Sequence, residues 1–161
     1  MSSGFLFNSN DATNNSIKPS YYDDQKYKGS EIYSPNRRSI ETIYVSTDEI
    51  KESLKPGDIL EFKYTLFNHF AIFLGIYNNA YILVHFRVIG PLPCIKHDVF
   101  IESMKSHKKV RINNMYDHDL KQGIRSADEI RKLALEKLVD HKEYNIITYN
   151  CKDFVKDLKY Y

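Results

Sequence analysis

"HFAIFLGIYNNAYILVHFRVI", residues 69–89, is the stretch that decides the fold. Two apolar runs, 69–77 and 80–89, rich in β-branched and aromatic residues, flank Asn78 and Asn79. Apolar runs of this length bounded by turn residues read as central strands, and a two-residue asparagine connection reads as a hairpin turn. Carried inward from that turn, a tight hairpin places His69 near Val88 and His85 near Ile72. An imidazole inside an apolar strand carries a burial cost unless both ring nitrogens find partners. The tight register leaves the two rings about three residues apart along the ladder. A bulge, a longer loop or a shared partner is needed to bring them together.

The elements around the hairpin are plainer. Upstream, "TIYVS" (43–47) is rich in strand formers, and "TDEIKESL" (47–54) reads as a short helical turn with a Thr or Asp cap. Pro56 and Gly57 then break the chain before "ILEFKY" (59–64), whose alternation suggests a strand with one wet face. Downstream, "GPLP" (90–93) ends the hairpin and "KVRINNMY" (109–116) is a further strand. "SADE" (126–129) is a capping-box pattern, after which Ile130, Leu133, Ala134 and Leu138 share one helical face. This helix is expected to end at about Val139 or Asp140. "YNIITYN" (144–150) follows as an extended link, and a last helix begins near Cys151. Strands followed by helices give an α+β class, a small antiparallel sheet packed on helices.

Residues 1–42 are rich in Ser, Asn, Asp and Lys without a sustained apolar period. They are expected to form a disordered polar tail before one domain at 43–161, with "SPNRRS" (34–39) as an exposed linker. The domain has enough material for a core, with 42% apolar residues in a chain of 161. The formal net charge is +2, from 23 basic and 21 acidic residues, which gives no strong nucleic-acid signal. "HKKVR" (107–111) is the one dense basic run and reads as a solvated turn or edge strand. Two distant cysteines, Cys94 and Cys151, make no disulfide framework. No signal peptide or membrane-spanning run is visible, so a cytoplasmic setting with free thiols is expected.

Cys151 is the residue on which function turns. Asn150 is a good N-cap, so Cys151 falls at about the first helical position. Phe154, Val155 and Leu158 follow on the same face, which aims the sulfur at the sheet. The unpaired N–H groups and dipole at a helix start favour the thiolate and are expected to lower its pKa. The ordinary alternative is a cysteine buried as a small apolar side chain. A nucleophile needs a base. Of six histidines, His97, His107, His118 and His141 lie in polar surroundings and read as surface residues, leaving His69 and His85. No closely spaced ligand pair of zinc-site type occurs, and no metal or other cofactor is expected.

"KPGDILEF", "NHFAIFLG", "YILVHF" and "YNIITYNCKDFVKDLKYY", in that order, resemble the motifs of lecithin retinol acyltransferase and the H-Ras-like suppressor phospholipase/acyltransferases. The resemblance covers residues 55–161. It implies a circularly permuted papain-like fold, with Cys151 as nucleophile, His69 as general base and His85 orienting His69. The implied reaction is attack on a phospholipid or other acyl ester, an acyl-Cys151 thioester, and transfer of the acyl group to water, an amine or a lysolipid. Backbone N–H groups at the start of the cysteine helix would form the oxyanion hole. The sequence departs from the family at "NCKDFV", where Lys152 and Asp153 replace Glu and His; both are expected to face outward. The spacing of 16 positions from His69 to His85 is a little longer than in the mammalian enzymes. Many members also end in a hydrophobic anchor. Either an anchor is missing from this sequence or membrane contact is peripheral only, as the apolar "FRVIGPLP" (86–93) would allow. Two rivals stand beside this reading. One is a non-enzymatic H-box and NC-box protein of picornaviral type, acting in replication through protein or RNA contacts. The other is a permuted papain-like amidase with the same three residues.

Overall fold

The computed structural model of the chain describes residues 41–89, 96–118, 123–139 and 150–161. The expected tail to residue 40, "SPNRRS", "GPLP", Cys94, His141 and most of the "YNIITYN" link lie outside these residues. Within them the class is the expected α+β: a five-stranded antiparallel sheet and three α-helices. The strands are β1 (Ile59–Lys63), β2 (Asn68–Tyr77), β3 (Ala80–Ile89), β4 (Lys96–Ser103) and β5 (Val110–Ile112), and the helices are α1 (Thr47–Ile50), α2 (Ala127–Val139) and α3 (Cys151–Lys159). Strand order is β4-β3-β2-β1-β5, so the hairpin identified from sequence lies at the centre.

Asn78 and Asn79 turn that hairpin with φ of 47° and 63°. Both lie in the left-handed region that a two-residue hairpin requires and that asparagine tolerates. Near the turn the tight register holds, with Tyr77 opposite Ala80 and Gly75 opposite Ile82. Then Leu74 intervenes as an extra residue, and Phe73 faces Leu83. From there on, Ala71 rather than Ile72 faces His85. Because side chains alternate with a period of two, one inserted residue exchanges the faces. The core records the exchange: Ala71 and Phe73 share a cluster with Ile76, while Ile72 and Leu74 belong to the other. Gly75 sits at the bulge with φ 139°, a conformation rarely open to a residue bearing a Cβ. The bulged carbonyl of Leu74 accepts a 2.7 Å hydrogen bond from Arg131 Nε of α2.

The two clusters occupy the two faces of the sheet. One joins Ile72, Leu74, Val84 and Phe86 to Ile130 and Ala134 of α2 and Phe154, Val155 and Leu158 of α3. The other joins Leu60, Phe62, Phe73, Leu83 and Ile112 to Ile50 and Leu54. Each fully buried large apolar side chain is worth about 1.5–3 kcal/mol. The face of α2 is broader than its apolar pattern, since Arg131 is buried beside Ile130 and Ala134 to reach Leu74.

Several expectations need correction. The cap of α1 is Ser46, in a capping box with Glu49, rather than Thr47 or Asp48. "TIYVS" forms an isolated bridge, Val45 to Val110, and covers the edge strand β5 instead of making a full strand. Glu41 and Thr42, placed in the tail by composition, bond to Asn113 and Ile112. β1 has no wet face through Phe62, because Glu61 is buried and bonded to Asn68, Asn113 and Arg111. The further strand stops at Ile112, and Met115–His118 is a 3-10 turn. β4 escaped the sequence reading: its apolar run is only Val99–Ile101, flanked by charges. "HKKVR" runs through a bend into the edge strand β5 but is solvated only in part, since Val110 is buried and His107 half-buried.

Because the bulge depends on a glycine-only conformation, Gly75→Ala is expected to cost about 1–3 kcal/mol. The loss reads as a lower midpoint in urea unfolding; an unchanged midpoint would show that the bulge relaxes freely.

Candidate active site

The bulge sets the site geometry. With Ala71 opposite His85, His69 lies two residues from that pair on the same face, a diagonal neighbour across the two strands. The rings meet: His69 Nε2 and His85 Nδ1 are 2.7 Å apart. The structure therefore brings together the two histidines that the tight register kept apart. Glu102 of β4 completes the row, with Oε1 2.9 Å from His85 Nε2. Sequence reasoning missed Glu102 because it missed β4, although register puts Phe100 opposite His85 and Glu102 two residues on, on the same side.

Partner types fix the proton positions. An ionised carboxylate only accepts, so His85 donates from Nε2 and its Nδ1 accepts. His69 then donates from Nε2, which leaves its Nδ1 bare. The bare nitrogen is the one that can take a proton. Arg87 and Lys105 hold their charges 3.7 Å and 3.9 Å from Glu102, and the Arg87 guanidinium also stacks over Phe100 at 4.1 Å.

Cys151 comes from the opposite side of the sheet. α3 packs its Phe154, Val155 and Leu158 face on the sheet, and its first residue reaches the beginning of β2. Cys151 Sγ lies 4.0 Å from the carbonyl oxygen of Asn68, the residue before His69. Asn68 is itself held by Glu61, whose Oε1 accepts from its side-chain amide at 2.7 Å. Cys151, His69, His85 and Glu102 all line one cavity of about 630 Å³. No hydrogen bond joins the thiol to the His69 ring among the described residues. The rest of the lining is largely aromatic and aliphatic, including Phe62, Tyr64, Phe67, Leu83 and Val88. His107 lines it too, with its ring 4.7 Å from that of Tyr64 and 5.5 Å from that of Phe62, so it is no simple surface residue.

Asn150 caps α3 as expected. Its side chain accepts from the N–H groups of Lys152 and Asp153, and Asp153 answers by accepting from the Asn150 N–H. Asp153 is thus the partner in a capping box rather than an outward-facing substitution, and Lys152 is half-buried over the Phe70 and Tyr116 rings. The cap also engages two of the N–H groups that the resemblance assigned to an oxyanion hole.

At rest the two imidazoles and the thiol are uncharged. Burial first, then the neighbouring His85 and Arg87, lower the pKa of His69 to about 4. Burial lowers His85 as well, against the opposing pull of Glu102. The thiol departs from expectation: burial raises its pKa, outweighing the N–H groups of Phe70, Lys152 and Cys151 that favour the thiolate. Desolvation of the sulfur thus exceeds the effect of the helix start. The alkylation rate of Cys151 by iodoacetamide is therefore expected to climb through alkaline pH, with a midpoint above the ordinary thiol value of about 8.5. A plateau already present at weakly acidic pH would instead show a thiolate–imidazolium pair at rest.

No helix among the described residues is long and apolar enough to cross a membrane. No curated protein matches the chain. A family model described as lecithin retinol acyltransferase matches residues 52–161, a span that contains the whole sheet, α2, α3 and every residue of the cavity named above. The chain belongs to the lecithin retinol acyltransferase family, and that membership suggests acyltransferase or phospholipase activity.

Proposed function

We propose that the protein is a thiol-dependent phospholipid acyl hydrolase or acyltransferase that works through an acyl-Cys151 thioester. The observation that carries this reading is the row Glu102–His85–His69, which leaves the His69 Nδ1 bare, on a residue that lines the same cavity as Cys151. A cysteine serving only as core packing has no use for such a row. The cavity's largely apolar walls favour an acyl chain over a peptide.

In this mechanism the Cys151 thiol gives its proton to His69 Nδ1 as the sulfur attacks the ester carbonyl. The C–O bond to glycerol then breaks, and the imidazolium returns the proton to the departing lysophospholipid oxygen. The acyl group is left on sulfur. Water, an amine or a lysolipid next attacks the thioester, giving its proton to His69, and the thiol is restored. Proton transfer is uphill in the resting site, because the thiol is raised and the imidazole lowered. Substrate assists it: negative charge developing on the carbonyl oxygen beside the imidazolium replaces the missing counter-charge. The Cys151 N–H at the start of α3 is a donor for that oxygen. His85 and Glu102 act as positioning residues that hold the His69 ring by Nε2 and keep Nδ1 free to take the proton.

Incubation with a defined phosphatidylcholine followed by intact-protein mass spectrometry is expected to show one acyl adduct, absent in Cys151→Ala. His69→Ala is expected to lower acylation by about 10²–10⁴-fold, the usual contribution of a general base. Glu102→Gln is expected to lower the maximal rate while leaving the affinity for lipid unchanged. Wild-type protein that neither forms an adduct nor releases lysolipid would favour the non-catalytic H-box reading, and cleavage of amide substrates alone would favour the amidase.

A further inference from the structure

The connection between β1 and β2 takes no part in the proton transfers above, yet it carries three exposed large apolar side chains beside the cavity. Leu66 is 93% exposed, Phe67 61% and Tyr64 43%. Scattered apolar residues on a surface are ordinary, but these three share one short turn. The turn is closed by a 3.0 Å hydrogen bond from Tyr64 N–H to the Phe67 carbonyl, with the two rings stacked at 5.0 Å. That brace leaves Leu66 at the tip. Tyr64 and Phe67 also line the cavity, so the tip stands at its mouth.

The basic run noted in the sequence lies alongside. Lys63 N–H donates to the Lys109 carbonyl at 2.9 Å, and the Tyr64 and His107 rings touch. Segments 63–68 and 103–109 together contain Lys63, Lys105, Lys108 and Lys109 and no acidic residue. Lys105 lies 3.9 Å from Glu102 but keeps 75% of its side chain exposed, and Lys63 reaches over the Tyr44 ring. An apolar tip flanked by cations suits the boundary between acyl chains and anionic headgroups. A water-soluble acidic partner would match the lysines but leave Leu66 without a counterpart.

We propose that the Tyr64–Phe67 turn and the lysines beside it form a docking surface for an anionic phospholipid bilayer, seating the cavity mouth on the membrane. This rests on the lipid acyl-transfer reading for its substrate, but its test does not need turnover. Flotation of the Cys151→Ala protein is measured with phosphatidylcholine vesicles and with phosphatidylcholine/phosphatidylserine vesicles. Binding is expected to the anionic vesicles and to weaken with salt. Leu66→Ser is expected to reduce it about ten-fold, the worth of burying one large apolar side chain. Each of Lys105→Ala, Lys108→Ala and Lys109→Ala is expected to reduce it about five-fold. Circular dichroism, and iodoacetamide alkylation of Leu66→Ser made with Cys151 intact, are expected to match the wild type, which separates docking from folding. Equal binding to neutral and anionic vesicles, parental binding by Leu66→Ser, or light scattering showing a dimer that Leu66→Ser dissociates would overturn the proposal. Vesicle binding without any acyl adduct would leave this surface standing and remove the reading of the cavity.

Discussion

The extra residue in β2 is the constraint on which the site depends. His69 and His85 belong to adjacent antiparallel strands, and in an unbroken hairpin their separation along the ladder would be odd, placing the rings on opposite faces of the sheet. Leu74 makes it even. A shift of one residue therefore decides whether two imidazoles share a hydrogen bond or lie on either side of a hydrophobic layer. The bulge is held from two directions, by the positive φ of Gly75 and by Arg131 reaching up from α2 to the Leu74 carbonyl. Helix and strand thus jointly set a register that neither fixes alone.

The second constraint acts on the cysteine helix. With nine residues, α3 is too short to be stable on its own. Asn150 and Asp153 satisfy its first N–H groups, while Phe154, Val155 and Leu158 bind it to the sheet. At the far end Lys159 enters a buried polar cluster, donating to Asn114 at 2.7 Å and pairing with Asp117 at 3.0 Å. Asn114 also binds Asp58 at the entrance to β1. Both ends of the helix are thereby tied to the sheet, and the sulfur is held where β2 begins. The same packing removes water from the thiol, so burial works against the dipole that the cap would otherwise lend it. Position and ionisation are coupled: the burial that places Cys151 also keeps it protonated at rest.

The amino-acid sequence by itself determined the elements whose signals are local. The Asn78–Asn79 hairpin, the capping box before α2, the Asn150 cap and the apolar face of α3 follow from turn chemistry and periodicity, which need only neighbours along the chain. It also determined which residues to consider, because a capped cysteine and two histidines inside apolar strands are conspicuous against their surroundings. What sequence left open was decided by tertiary contacts. The bulge at Leu74 is stabilised by an arginine 57 positions away. Glu61 is buried in a strand that looked half-wet because Arg111, Asn113 and Asn68 surround it from other segments. β4 was illegible because most of its residues are polar, and pairing with β3 makes it a strand. Glu102 joins the histidines only through that pairing, and the thiol is raised rather than lowered only because distant elements close over it. Local propensity acts over one turn, whereas register, burial and desolvation depend on segments that meet only in the folded chain.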